Sequence, residues 1–195
     1  METLELYRLA QDRFDTVLTA VDPDRWEARS ACEQWSVRDV AGHVIWGQHQ
    51  VRAWATGTDY DDRRGAPGSP HPAVLTGPDP VATWRAARAD AVATLTPEAL
   101  ARTTSIPGMG EVPVAALIAL LTVDHVAHGW DIAYPLGMQP RIEPELVAMA
   151  FDWARAHVLR RPGFFGAELT APDGADEQTR MLAFLGRNAW QRVPA

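Results

Sequence analysis

Val123-Asp-His-Val-Ala-His-Gly-Trp-Asp131 sets a carboxylate and an imidazole one helical turn apart on what otherwise reads as a core-facing helix. Upstream, Pro113 can open that helix, because a proline at the first helical position forfeits no needed donor. From there Leu117, Leu121, Asp124 and His128 follow the 4-3-4 spacing that lines one face of a bundle helix. Two apolar residues are followed on the same seam by two ionisable ones. Burying such groups costs several kcal/mol unless something pairs with them. That partner must come from elsewhere in the chain.

Outward from this stretch the pattern is helical. A first amphipathic helix covers about residues 3 to 20, with Leu6, Ala10, Phe14, Val17 and Leu18 on one side. Ser36 and Asp39 form a capping-box pattern that opens a second helix, which runs to about Thr56 and stops at Gly57. Its apolar side carries Val37, Val40, Val44, Gly47 and Val51, with His43 among them. Residues 57 to 80 are rich in Gly, Pro and Asp and read as a long loop of the kind that often serves as a lid. A third helix spans about Pro80 to Leu95, and Thr96-Pro97-Glu98 starts a short helical turn. Residues 106 to 112 form a Gly-rich connector with a little extended structure. The fourth long helix runs from Pro113 to about Leu136, with Gly137 as its stop. Further helices are expected from Glu143 to Arg160, ended by Arg161-Pro-Gly163, and from Glu177 to Leu185. Strand signals are weak, so the expected architecture is an all-α four-helix bundle with additional C-terminal helices. A length of 195 residues fits one domain over residues 1–195, with a core to about 137 and an extension from about 141.

Composition removes several functional classes. The net charge of −7 opposes a nucleic-acid surface, which needs concentrated cationic charge. All 18 basic residues are arginines, so Schiff-base and P-loop lysine chemistry is excluded. Cys32 is the only cysteine, which rules out an intrachain disulfide and a cysteine-based zinc cluster. Neither a signal-peptide pattern nor a membrane-spanning apolar run is present, and a cytoplasmic location is expected.

Two helices thus carry ionisable residues where the pattern calls for apolar ones: His43 on the second, Asp124 and His128 on the fourth. An i, i+4 pair projects from one face at about 6 Å, which suits two ligands of one ion. A third ligand from a facing helix completes a set that leaves positions open for water or substrate. Two histidines and a carboxylate accept zinc foremost, and nickel, iron or manganese as alternatives. The bland alternatives are a hydrogen-bonded core histidine at 43 and a helical hydrogen-bond pair at 124 and 128. His125 competes with Asp124 as ligand, though the seam places it to one side, outside the ligand set or toward substrate. His49 falls on another, solvent-facing side, while His71 and His157 read as structural or exposed. Trp35, Trp46, Trp84, Trp130 and Trp153 fit core packing, and Cys32 reads as a packing thiol. Asp131 either contacts the pocket or only hydrogen-bonds near the helix end.

Ala31-Cys-Glu-Gln-Trp-Ser-Val-Arg-Asp-Val-Ala-Gly-His43 resembles the Pro-Cys-x-x-Trp-(Ser/Thr)-Val-x-Asp-Leu-x-x-His pattern of actinobacterial DinB-like proteins. Asp124-x-x-x-His128-Gly-Trp-Asp131 is similar to their Glu-x-x-x-His-Gly-Trp-Asp segment, and the tail through Arg187 resembles the ending of the same subgroup. That group is similar to the N-terminal domain of mycothiol-dependent maleylpyruvate isomerase. The resemblance implies a DinB-type bundle, one divalent metal on His43, Asp124 and His128, and mycothiol activated as a thiolate there. It also implies a small-molecule substrate and leaves a homodimer open. Two positions depart from the pattern: Ala31 replaces a proline, and Asp124 is one methylene shorter than the family's glutamate.

Three functions follow from these residues. One is a metal-dependent enzyme, a mycothiol-type transferase or isomerase, with substrate entering near His125, Trp46 and the loop of residues 57 to 80. The second is a non-catalytic small-molecule or metal-binding bundle. The third is a structural bundle whose polar groups satisfy one another.

Overall fold

In the computed structural model, residues 2–106, 110–160 and 164–191 are described. Seven α-helices occupy them: α1 (Thr3–Thr19), α2 (Val37–Thr56), α3 (Pro80–Val92), α4 (Pro97–Ala101), α5 (Val114–Ala133), α6 (Pro144–His157) and α7 (Glu177–Phe184). Strands β1 (Thr103–Ile106) and β2 (Gly110–Pro113) pair antiparallel, with Thr103 opposite Pro113. The bundle is α1, α2, α3 and α5: α5 lies against α1 and α2, and α3 against α2 and α1. Helices α6 and α7 extend it, α6 packing on α5 and α7 on α6. The fold is all-α apart from the small hairpin.

Local chemistry explains the boundaries. Ser36 caps α2 by accepting from Asp39 N while the Asp39 carboxylate accepts from Ser36 N, the expected capping box. Gly57 ends α2 at φ +70°, a left-handed conformation that costs glycine little. Helix α5 begins at Val114 instead of Pro113, because Pro113 is the last residue of β2. It ends at Ala133, short of the expected Leu136, since Met138 N turns back to the Ala133 carbonyl. Helix α3 likewise ends early, at Val92, and α6 ends at His157, where Val158 turns extended. Of the connector expected at 106 to 112, Ile106 belongs to β1 and Gly110, Glu111 and Val112 to β2, the little extended structure anticipated there; Pro107, Gly108 and Met109, like the helix stop Arg161-Pro-Gly163, lie outside the described residues.

Apolar side chains fill three connected regions. Phe14, Leu18, Val40, Val44, Trp84 and Ile132 close one end of the bundle. Tyr7, Val51, Ala91, Ile118 and Leu121 fill the other. Val126, Trp130, Leu146, Phe151 and Leu182 seat α6 and α7 on α5. A buried polar string threads this core: Tyr7 Oη and Gln11 Nε2 both donate to Gln48 Oε1 (3.1 and 2.8 Å), and Gln48 Nε2 donates to His125 Nε2 (3.1 Å). Among the described residues no helix is long and apolar enough to cross a membrane.

Candidate metal centre

His43 from α2 and the Asp124–His128 pair from α5 converge at one point between the helices. His43 Nε2 lies 3.6 Å from Asp124 Oδ2, and His128 Nε2 lies 3.3 Å from Asp124 Oδ1. The remaining nitrogen of each ring is already engaged. His43 Nδ1 is 2.7 Å from the Gly65 carbonyl oxygen, and His128 Nδ1 is 2.9 Å from Asp131 Oδ2. A carbonyl oxygen can only accept, so His43 carries its hydrogen on Nδ1 and aims a lone pair from Nε2 at Asp124. Two imidazole nitrogens and a carboxylate therefore share one small volume in which only a proton or a cation reconciles them. Two histidines oriented by outer hydrogen bonds, with one carboxylate, are a donor set that suits a divalent ion.

With protons alone, the charges settle on the pair in α5. Burial works against charge on Asp124, yet the His128 imidazolium and its hydrogen bond hold the Asp124 carboxyl well below the usual range. Burial also opposes charge on His128, and Asp124, followed by Asp131 and Cys32, holds it well above the usual histidine value.

Behind His128 stands a second set of groups. Asp131 is 1% exposed and receives Arg187 at both oxygens, Nε to Oδ1 at 3.1 Å and Nη2 to Oδ2 at 2.8 Å. Despite its burial, the Arg187 charge and the His128 hydrogen bond keep its carboxyl far below the usual range. Cys32 Sγ lies 3.2 Å from Asp131 Oδ2 and 3.8 Å from His128 Nδ1. Burial and then the Asp131 charge push the Cys32 thiol up, so it remains an S–H that donates to the carboxylate. Cys32, His128 and Asp131 also lie close enough to hold an ion, but Arg187 occupies both Asp131 oxygens.

The loop of residues 57 to 80 roofs the centre. Trp35 lies 4.9 Å from the His43 ring and 6.1 Å from that of His128, while Trp46 stacks on His43 at 6.0 Å. The indole nitrogens tie these walls to the loop, Trp35 donating to Ser69 O (2.8 Å) and Trp46 to Asp62 O (2.6 Å). Ala73 N donates to Asp39 Oδ1 at 3.0 Å, so the helix cap also anchors the loop. Gly65 has no substitute at its place: a Cβ there would fall 2.3 Å from Trp46 Cβ.

Other expected groups lie elsewhere. His125 turns away from the centre and is buried among Tyr7, Phe14 and Trp84, because α1 and α3 pack on that side of α5. Its Nδ1 donates to the Leu121 carbonyl, and burial pulls its pKa down to about 4. His49 is half-buried against Tyr60 (5.2 Å) rather than solvent-facing. His71 and His157 are exposed. The Gly65 carbonyl and Arg187 were not singled out from sequence. Arg187 leaves one faint trace, an arginine directly after the glycine that ends the last helix.

The bundle and its buried His-Asp-His cluster define a DinB-like helical protein with a candidate metal centre. Residues 7–133 match the family model described as mycothiol maleylpyruvate isomerase N-terminal domain, and the chain belongs to that family. It is 33% identical over 192 residues to the uncharacterized protein Rv0738 of Mycobacterium tuberculosis (strain ATCC 25618 / H37Rv), covering 96% of this chain and 98% of that one. The same figures hold for the uncharacterized protein MT0763 of Mycobacterium tuberculosis (strain CDC 1551 / Oshkosh). Its fold is similar to the crystal structure of a histidine-to-alanine mutant of mycothiol-dependent maleylpyruvate isomerase, with a TM-score of 0.57 and 16% identity over 79% of this chain and 67% of that one.

Proposed function

We propose that the protein binds one divalent metal through His43, Asp124 and His128 and uses it with a low-molecular-weight thiol of the mycothiol type on a small molecule. The supporting observation is the convergence of two imidazole Nε2 atoms on one carboxylate, with each Nδ1 held outside the centre. A divalent ion there supplies Lewis acidity, which lowers the pKa of a thiol or water. The chain's own residues do the rest. Gly65 O and Asp131 keep both ring hydrogens on Nδ1, so both Nε2 lone pairs stay available. Trp35, Trp46 and the tied loop wall the centre with apolar surface, which strengthens its electrostatics. Cys32, held as a thiol by Asp131, serves as a hydrogen-bond donor, leaving the reactive sulfur to an incoming thiol.

The family supports a transferase or isomerase. We place the protein in the cytoplasm of a mycothiol-producing actinobacterium, as its mycobacterial relatives support, and treat the chain as one unit because Arg187 reaches Asp131. Elemental analysis of protein purified without chelators or affinity-tag metal tests the centre. Near-stoichiometric metal is expected in wild type and none in His43→Ala or His128→Ala; wild type that stays metal-free after reconstitution rejects the proposal. Turnover that persists without the thiol rejects its thiol half.

A further inference from the structure

Arg187 comes from the far end of the chain, 56 residues beyond Asp131, and its delivery is built into the last helix. Gly186 follows α7 at φ +83°, where a Cβ would meet the Ala167 carbonyl oxygen at 2.9 Å. Gly186 N returns to Ala183 O (2.9 Å) and Arg187 N to Leu182 O (2.8 Å), the paired bonds of a Schellman stop. This turn sends the guanidinium inward, where Nη1 donates to Leu185 O (2.8 Å) and Nε and Nη2 take both oxygens of Asp131. Its face lies 5.5 Å from the Phe165 ring. Arg160 fastens the same segment, donating to Gly166 O (2.6 Å) and Phe184 O (2.8 Å).

The oxygen that receives Arg187 Nη2, Asp131 Oδ2, also accepts from His128 Nδ1. One continuous path of hydrogen bonds thus runs from the end of α7 to the ring whose Nε2 faces the centre. Building on the metal-centre proposal above, we infer that Arg187 is a positioning residue for His128, and that docking of the C-terminal segment and metal binding reinforce each other. With Arg187 in place, the Asp131 carboxylate has a fixed plane and offers His128 a fixed acceptor. Without it, that carboxylate loses the two hydrogen bonds that fix its plane, and the imidazole loses its fixed angle. Loss of such an outer partner weakens metal binding by about 10- to 100-fold. Coupling free energies are reciprocal, so bound metal must hold the segment down by the same factor.

Zinc affinity measured by competition with a chromogenic chelator tests the first half, using wild type, Arg187→Met and Arg187→Lys. The expected result is a Kd weakened about 10- to 100-fold in Arg187→Met, with part of the loss recovered in Arg187→Lys. Amide hydrogen exchange of wild type with and without zinc tests the second half. Zinc is expected to slow exchange across Met181–Arg187 by a matching factor, and to have no such effect in His43→Ala. A folded Arg187→Met with wild-type zinc affinity overturns the inference while leaving the centre intact. If Arg187→Met does not fold, the wild-type exchange decides, and zinc-independent exchange of Met181–Arg187 overturns it. Wild type that binds no zinc overturns the centre and this inference with it.

Discussion

His125 is the residue whose charge the fold refuses. It accepts from Gln48, donates to the Leu121 carbonyl and packs against Tyr7, Phe14 and Trp84, an arrangement that fits only the neutral ring. Its pKa falls to about 4 in the fold. The unfolded chain, with an ordinary histidine near 6.5, therefore takes up this proton first as the pH falls. Above pH 6.5 His125 has no effect on the pH dependence; between about 6.5 and 4 it erodes stability, by about 3 kcal/mol in all at about 1.4 kcal/mol per unit. His128 works in the opposite direction, being held above its ordinary value, and its contribution is complete below pH 6.5. Urea unfolding of metal-free protein from pH 7 to 4 should show wild type losing stability more steeply than His125→Gln. Parallel curves for the two proteins would contradict this account of the buried ring.

At the scale of elements, α2 carries two glycines with opposite needs. A Cβ on Gly42 would lie 2.0 Å from the Pro72 carbonyl oxygen, where the loop's single turn of 3-10 helix (Pro72–Leu75) presses against the helix. Gly42→Ala must move backbone and is expected to cost about 1–3 kcal/mol, as other overpacking does. Five residues on, a Cβ at Gly47 would meet only Leu121 Cδ2, at an ordinary 3.7 Å. Gly47→Ala should therefore gain about 0.5–1 kcal/mol from helix propensity. Denaturant midpoints of the two variants, moving in opposite directions from wild type, check the pair. The close approach at Gly42 has a functional consequence, because it seats the loop whose Gly65 carbonyl orients His43.

Across the whole molecule, α1 ties the three apolar regions together, contributing Ala10 to one, Phe14 and Leu18 to the next and Tyr7 to the third. The proposed centre joins α2 to α5, so ligation stabilises a contact that folding must already make. Zinc at 100 times its Kd should add about 2.7 kcal/mol of stability. For a chain of this size that is a rise of about 5–10 °C in melting temperature. Differential scanning calorimetry should show this rise reversed by chelator and missing from His128→Ala. A wild-type transition indifferent to both zinc and chelator would count against a metal centre that bridges the helices.

The helices and one side of the centre were legible because periodicity is a local property. Leu117, Leu121, Asp124 and His128 share a face of α5 whatever packs against it, and Ser36 with Asp39 marks the start of α2 in any context. That His43 stands opposite Asp124 was inferable from its place on an apolar face, although only the packing of α2 on α5 makes the 3.6 Å approach. The same packing corrected His125: a helix rotates successive residues by a fixed angle, but which direction is core depends on α1 and α3 arriving there. The Gly65 carbonyl and Arg187 were beyond reach because they come from irregular chain, where no period says which way a group points. Sequence alone thus determined the helical class, the excluded chemistries and the i, i+4 carboxylate–imidazole pair, since backbone geometry governs each locally. Tertiary structure alone decided what holds the second nitrogen of His43 and what fixes Asp131, the i+3 partner of His128, because Gly65 lies 22 residues from His43 in the loop and Arg187 lies 56 residues beyond Asp131.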